Sequence, residues 1–132
     1  MATLLGIDYG NRRVGIAVSD ETGMHVFVRK ALINTGRDSL VAALKALVTE
    51  EHVSGIVAGL PLSMNGKEGP QALSVKKVMS EIGDELGIPV SFEDERLSTS
   101  YADRFRSSTA DQDSIAAVSI LESYLERTRR KS

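Results

Sequence analysis

Residues 4–20, LLGIDYGNRRVGIAVSD, decide the fold that we predict for this chain. An apolar run ends at Asp8, Gly10 allows a tight reversal, and a second run alternates larger and smaller residues from Val14 to Ser19. Alternation with a period of two is typical of a β-strand, so the stretch predicts a β-hairpin with a carboxylate at the mouth of its turn. Asp8 taken alone is interpreted as a turn residue, because aspartate hydrogen-bonds to nearby backbone.

The side of the second strand that carries Gly15 and Ala17 has almost no side-chain bulk. Such a surface lets another element approach the backbone closely, and a packed helix is the simplest candidate. We therefore expect the hairpin to lie at the centre of the fold.

The elements that follow predict an α/β fold with a mixed sheet. The further predicted strands are Met24–Ile33, Val53–Leu60 and Ile88–Phe92, and the predicted helices run from Ser39 to near Glu51, over Gln71–Leu86, over Ser98–Phe105 and from Asp113. This order predicts five strands, three antiparallel and then two parallel, with helices on both faces. Right-handed crossovers bring the carboxyl ends of the first, fourth and fifth strands to one edge, where Asp8, the Pro61–Pro70 loop and the Asp94/Glu95 pair are expected to meet.

Length and composition limit the classes of function. A chain of 132 residues predicts a single domain, 1–132, too short for two lobes that close around a cleft. No apolar run approaches the roughly 18 to 20 residues of a membrane span, so we expect a cytoplasmic protein without membrane contacts.

The metal-binding chemistry open to this chain is also limited. Cysteine is absent, which excludes disulfides and thiolate metal sites, and only His25 and His52 could offer imidazole. Any metal is therefore expected to be a hard cation held by oxygen. The net charge of −2 gives no overall attraction for a polyanion, so binding of nucleic acid would depend on local clusters of arginine and lysine.

Three consecutive acids, Glu93, Asp94 and Glu95, stand at the end of the predicted fifth strand and are followed by Arg96. Like charges this close raise one another's pKa unless a cation lies among them. Arg96 could be that cation in a purely structural role, and a divalent ion is the functional alternative.

Four ordered motifs make the whole chain similar to the YqgF family, bacterial proteins of ribonuclease H-like fold described as Holliday junction resolvases and as nucleases that mature the 5′ end of precursor 16S ribosomal RNA. The motifs are Gly6–Gly10 with Arg13–Asp20, Gly59–Leu62 with Gly66–Pro70, Asp94–Thr99 and Asp113–Ala117. Four motifs in order are far more specific than any one of them.

The resemblance implies a catalytic triad of acids, Asp8, Glu95 and Asp113, that hold Mg²⁺ or Mn²⁺. Successive side chains of a strand point to opposite faces, so Asp94 and Glu95 cannot both face one site and are expected to have different roles. We favour Glu95 as the ligand and Asp94 as its supporting neighbour, although strand parity beyond Phe92 leaves the choice open.

The implied substrate is structured nucleic acid, either pre-rRNA or branched DNA. The candidates for binding its backbone are Arg12, Arg13, Lys67 and Arg96. Family members commonly carry a basic stretch before the last aspartate, whereas Ser107–Gln112 stands there in this chain. The basic tail Arg127–Lys131 is interpreted more readily as a solvated helix end than as a nucleic-acid arm.

Three hypotheses for the function follow, each for a monomer or weak homodimer. The first is a metal-dependent nuclease that processes the 5′ end of pre-16S rRNA or, alternatively, resolves Holliday junctions. The second is a non-catalytic RNA-binding factor of ribosome biogenesis, which the missing basic stretch favours slightly. The third is a nucleotide-handling enzyme, because residues 6–10 also resemble the phosphate-binding hairpin of actin-like ATPases and sugar kinases; the short chain argues against it.

Overall fold

The computed structural model of the protein describes residues 2–95 and 112–130, the latter without the side chains of residues 112, 113 and 130. The strands are β1 (Thr3–Asp8), β2 (Arg13–Ser19), β3 (Val26–Ile33), β4 (Val53–Leu60) and β5 (Val90–Asp94). The helices are α1 (Arg37–Glu50), α2 (Pro70–Leu86) and α3 (Gln112–Arg130). The helix predicted over Ser98–Phe105 lies outside the described residues.

The described strands form one sheet in the order β3-β2-β1-β4-β5. β1 pairs antiparallel with β2, and β2 pairs antiparallel with β3. β1 pairs parallel with β4, and β4 pairs parallel with β5. This arrangement confirms the predicted mixed sheet and places β1, the strand that ends at Asp8, in the middle.

Helices cover both faces of the sheet, as predicted. Alternate residues of the central strands, such as Leu5 and Ile7, pack against Leu44 of α1 and Met79 of α2. The opposite face of the sheet packs against α3. Because a strand directs successive side chains to opposite faces, Gly6 and Asp8 belong to the face that α3 covers.

The helix α3 lies very close to the hairpin. A methyl group built on Gly6 would come within 2.9 Å of both the carbonyl oxygen of Ala117 and the Cβ of Leu121. Ala17 of β2 is fully buried in the same cluster. Helix α3 therefore packs against the small residues of the hairpin, as those residues predicted.

The fifth strand differs most from its prediction, because β5 begins at Val90 and continues to Asp94 instead of ending at Phe92. Pairing with β4 carries through both acidic positions, Gly59 opposite Glu93 and Leu60 opposite Asp94. Backbone pairing with a buried neighbour thus overrides the local polar signal that suggested a strand end.

Two other elements, β3 and α1, start two residues away from their predicted positions. β3 begins at Val26, two residues late, because the Oδ1 of Asp20 accepts hydrogen bonds from the amides of Met24 (3.2 Å) and His25 (3.4 Å) and keeps them in a turn. Helix α1 begins at Arg37, two residues early, because the amide of Leu40 donates a hydrogen bond of 3.0 Å to the carbonyl of Gly36. None of the described helices is long and apolar enough to cross a membrane.

Candidate active site at the carboxyl edge of the sheet

Asp8 lies at the carboxyl end of the central strand. Ile7 pairs with Ala58 of β4, so the next position on β4, level with Asp8, is Gly59. Gly59 in turn pairs with Glu93 of β5. The carboxyl ends of β1, β4 and β5 therefore share one edge, with Glu95 directly after the end of β5.

The carboxyl groups of Asp8 and Glu95 meet at this edge. Burial raises the pKa of Glu95 to about 8, with further contributions from its side-chain hydrogen bond to Asp8 and from the negative charges of Asp8 and Asp94. In its protonated form Glu95 donates that hydrogen bond to the Asp8 carboxylate. At neutral pH the pair consequently holds one proton, as expected for two carboxyl groups that cannot both ionise side by side.

Glu95 reaches Asp8 across the backbone of β4. A methyl group built on Gly59 would lie 2.8 Å from the Oε1 of Glu95 and 2.9 Å from its Cγ. The same methyl group would overlap the Cδ1 of Ile120, which shows that this side of Gly59 faces α3. Glu95 therefore lies on the α3 side of the sheet together with Asp8, and Asp94 acts on it through its charge.

The backbone of Asp113 lies in the first turn of α3, and its side chain is outside the described residues. The next residue, Ser114, is fully buried, and its hydroxyl oxygen accepts a hydrogen bond of 3.0 Å from the backbone amide of Ile16. Ile16 pairs with Ile7, the residue before Asp8. The hydrogen bond thus fixes the start of α3 over the part of the hairpin that carries Asp8.

The donor chemistry of this edge suits a hard divalent cation. Asp8 and Glu95 offer carboxylate oxygens, the ligands that Mg²⁺ and Mn²⁺ prefer. Across residues 2–95 and the described part of α3, no group of three acidic, histidine or cysteine side chains is arranged to hold a metal. Two of the three predicted ligands are therefore seen together, and their oxygen chemistry fits the predicted ions.

Three of the cationic residues predicted to bind substrate, Arg12, Arg13 and Lys67, lie in or directly beside the loops at this edge. Arg12 and Arg13 are exposed at the β1–β2 turn, which Asn34 braces by donating from Nδ2 to the carbonyl of Gly10 at 2.9 Å. Lys67 is exposed in the loop after β4, where its amide donates to the Oδ1 of Asn65 at 3.2 Å. Arg96 lies outside the described residues.

Glu93 is a buried charge that the sequence analysis did not separate from its two acidic neighbours. Its side chain is 1% exposed and accepts hydrogen bonds from the hydroxyl of Ser123 at 2.8 Å and from the Nη2 of Arg127 at 2.5 Å. The hydrogen bond to Glu93 raises the pKa of Arg127. Glu93 and Glu95 are two residues apart, so in an extended strand their side chains point to the same face. This spacing is the signal that could have assigned Glu93 to the α3 side.

Comparison with known proteins identifies relatives over nearly the whole chain. The family model described as "RuvX: Holliday junction resolvase" matches residues 2–127. A protein of Clostridioides difficile is 39% identical over 131 residues, covering 93% of each chain. One of Oleidesulfovibrio alaskensis is 40% identical over 129 residues, covering 92% of this chain and 90% of the relative. Both are named "Putative pre-16S rRNA nuclease".

Solved structures share the fold at low sequence identity. Thermus thermophilus RuvC, in complex with a Holliday junction substrate, superposes with a TM-score of 0.73 at 11% identity, covering 98% of this chain and 96% of RuvC. The fowlpox virus Holliday junction resolvase gives 0.58 at 12% identity, covering 96% and 99%. These likenesses place the chain in the fold of RuvC-like resolvases, which is ribonuclease H-like as predicted.

A third structural neighbour is a much longer protein that shares only part of its length with this chain. A ROK family protein of Streptococcus pneumoniae gives a TM-score of 0.53 at 17% identity, covering 76% of this chain but only 37% of its own. Most of the longer protein therefore has no counterpart here. The family match over residues 2–127 and the relatives at 39% and 40% identity settle the assignment: the chain belongs to the RuvX family, the family also named YqgF.

Proposed function

We propose that the chain, acting as a single domain over residues 1–132, is a metal-dependent nuclease that processes the 5′ end of precursor 16S rRNA. The observation that carries this proposal is the pair of carboxyl groups, Asp8 and Glu95, held together at the carboxyl edge of the sheet. The names of the curated relatives support ribosomal RNA as the substrate.

The acidic residues supply the chemistry of the proposed site. Asp8 and Glu95, together with Asp113, would hold Mg²⁺ or Mn²⁺. The bound ion would activate a water molecule at neutral pH and neutralise charge on the phosphate under attack. Glu95 must release its proton to serve as an anionic ligand, and the negative charge of Asp94 beside it opposes that release. The role proposed for Asp94 is therefore indirect: its charge helps to set the pH at which Glu95 exchanges its proton for a cation.

The exposed cations would position the nucleic acid. Arg12 and Lys67 lie on loops at the same edge as the acids, and Arg13 is the first residue of β2 beside them. Phosphate groups would be drawn there toward Asp8 and Glu95. Contacts of this kind hold the backbone without reading the sequence, so binding is expected to weaken steeply as salt concentration rises. We propose the same phosphate-binding role for Arg96.

The proposal is tested by incubating the protein and Mn²⁺ with two labelled substrates, an RNA that carries the 5′ precursor segment of 16S rRNA and a four-way DNA junction. Cleavage of the RNA at or near the mature 5′ end is the expected result. Cleavage of the junction alone would select branched DNA as the substrate, which the description of the family model favours. Tight RNA binding without turnover, unaffected by EDTA, would contradict a nuclease and select a binding protein.

Metal affinity is expected to depend strongly on pH. Since the pKa of Glu95 is raised to about 8, a cation that binds at lower pH must displace its proton. Mn²⁺ affinity should therefore increase by about tenfold per pH unit below pH 8 and level off above it. Calorimetry from pH 6 to 9 measures this dependence, and two buffers of different ionisation enthalpy should detect about one proton released at pH 7. Equal affinity at pH 6 and pH 8 would contradict the proposed role of Glu95.

A further inference from the structure

The space that Glu95 occupies exists because the neighbouring strand carries a glycine. β4 lies between β5 and β1 in the sheet. Adjacent strands are about 4.8 Å apart, so β5 and β1 are separated by about 9.6 Å. To meet Asp8 on β1, the side chain of Glu95 must cross the face of β4, and it does so over Gly59.

A side chain at position 59 would stand in that path. The Cβ position of Gly59 is 2.8 Å from the Oε1 of Glu95 and 2.9 Å from its Cγ, closer than real Cβ atoms approach other heavy atoms. Gly59 is level with Asp8, because Ile7 pairs with Ala58 one position earlier. We propose that Gly59 is a positioning residue for the carboxyl pair: without a side chain it lets Glu95 cross β4 and meet Asp8. This inference rests on the proposed function.

A purely structural role for Gly59 must be separated from this one. The Cβ position of Gly59 also overlaps the Cδ1 of Ile120, so Gly59→Ala would disturb the packing of α3 as well. Valine lacks that Cδ1 atom. The double variant Gly59→Ala/Ile120→Val therefore relieves the overlap with α3 and leaves Glu95 as the group that the new methyl group displaces.

Gly83 provides a matched control on the other side of the sheet. A methyl group there would overlap the Cγ2 of Val90 and lie 3.1 Å from the carbonyl oxygen of Ile88. Gly83→Ala thus creates a comparable overlap with a branched aliphatic side chain, here Val90 of β5. No carboxylate is among the atoms that its methyl group would meet, so it tests the cost of packing alone.

The experiment measures Mn²⁺ binding by calorimetry at pH 8 and the melting temperature with and without Mn²⁺, for metal-free wild type and these variants. The double variant should melt within a few degrees of Ile120→Val, yet bind Mn²⁺ at least about tenfold more weakly, the effect expected when a ligand is misplaced. Its rise in melting temperature on adding Mn²⁺ should shrink accordingly. Gly83→Ala and Ile120→Val should retain wild-type affinity.

Two failures would be distinguishable. Wild-type Mn²⁺ affinity in the double variant would overturn the role of Gly59 and leave the proposed function intact. Equal losses of affinity in Gly83→Ala and the double variant would likewise overturn it, because packing alone would then explain the effect. No Mn²⁺ binding by the wild type would overturn the proposed function, and this inference with it.

Discussion

Replacing Asp8 by asparagine should reduce Mn²⁺-dependent cleavage by about a thousandfold, which corresponds to about 4 kcal/mol of lost transition-state stabilisation. The amide keeps the size of the side chain and can still accept a hydrogen bond from protonated Glu95, so the fold around the hairpin should persist. The amide also removes the negative charge through which Asp8 would hold a cation. Cleavage of the labelled RNA by purified Asp8→Asn and wild type, at saturating substrate, measures the effect.

The same substitution should stabilise the metal-free protein. The pKa of Glu95 is raised from 4.5 to about 8 in the folded chain, so the folded state binds more protons than the unfolded state between those values. Metal-free wild type therefore loses stability as pH rises through this window. Asp8→Asn removes the part of the shift that Asp8 causes and should add about 1 kcal/mol at pH 8, a discounted figure because Glu95 is only partly buried.

A matched control separates these effects from a general change in charge. Asp84→Asn removes the same charge from an exposed residue near the end of α2, ahead of the amino end of β5 and away from the site. It should leave cleavage unchanged and give no stabilisation that grows with pH. Adding Mg²⁺ should raise the melting temperature of wild type and of Asp84→Asn but not of Asp8→Asn. Full cleavage by Asp8→Asn would instead assign the activity to a contaminant.

Much of the fold could be predicted because its main signals are local. The period of two in β2 identified the hairpin, and the short apolar run of β4 identified a strand that is buried on both faces. The rule that parallel strands end at a common edge is enough to predict that Asp8 and Glu95 lie together. These inferences need only the pattern of one segment and the handedness of its connection.

The way in which Glu95 reaches Asp8 could not be predicted, because it depends on a residue without a side chain, Gly59, on a third strand, β4. Nothing near Glu95 in the sequence indicates that Gly59 lies beneath it, and the register between β4 and β5 alone brings them together. The partner of Glu93 was hidden for a similar reason. Arg96 was the nearest candidate cation in the sequence, whereas Arg127, 34 residues away on α3, binds Glu93 in the structure.

The basic tail shows the same limit. Arg127 and Arg129 are exposed, as a solvated helix end predicts, but their guanidinium groups contact the protein itself. Arg129 donates from Nη1 to the carbonyl of Gly23 at 2.6 Å. A charge pattern can predict that a side chain reaches the surface, but the contact its head group makes depends on the packing of α3 against distant strands.

The second large effect is expected from Arg127→Met, which should destabilise the protein by about 3 kcal/mol and lower its melting temperature by about 10 °C. The substitution leaves the carboxylate of Glu93, which is 1% exposed, with the hydrogen bond from the hydroxyl of Ser123 but without its cation. Removing one member of a buried ion pair costs about 3 to 5 kcal/mol, because an uncompensated charge stays in the interior. The lower figure applies because the side chain of Arg127 is 42% exposed. Thermal and urea unfolding at pH 7 measure the loss.

Removing both charges should restore most of that stability. In Glu93→Leu/Arg127→Met the carboxylate at position 93 is gone together with its cation, and the double variant should unfold within about 1 kcal/mol of wild type, since apolar replacements of buried ion pairs are often neutral. Arg37→Met is the control. It removes two exposed salt bridges, to Glu81 and Glu85, and should destabilise the protein by less than about 1 kcal/mol. If Arg127→Met costs no more than Arg37→Met, the cost assigned here to an uncompensated Glu93 is wrong. Recovery in the double variant would instead show that the cost of the single substitution arises from the stranded charge of Glu93, two residues from Glu95 on the same side of the sheet.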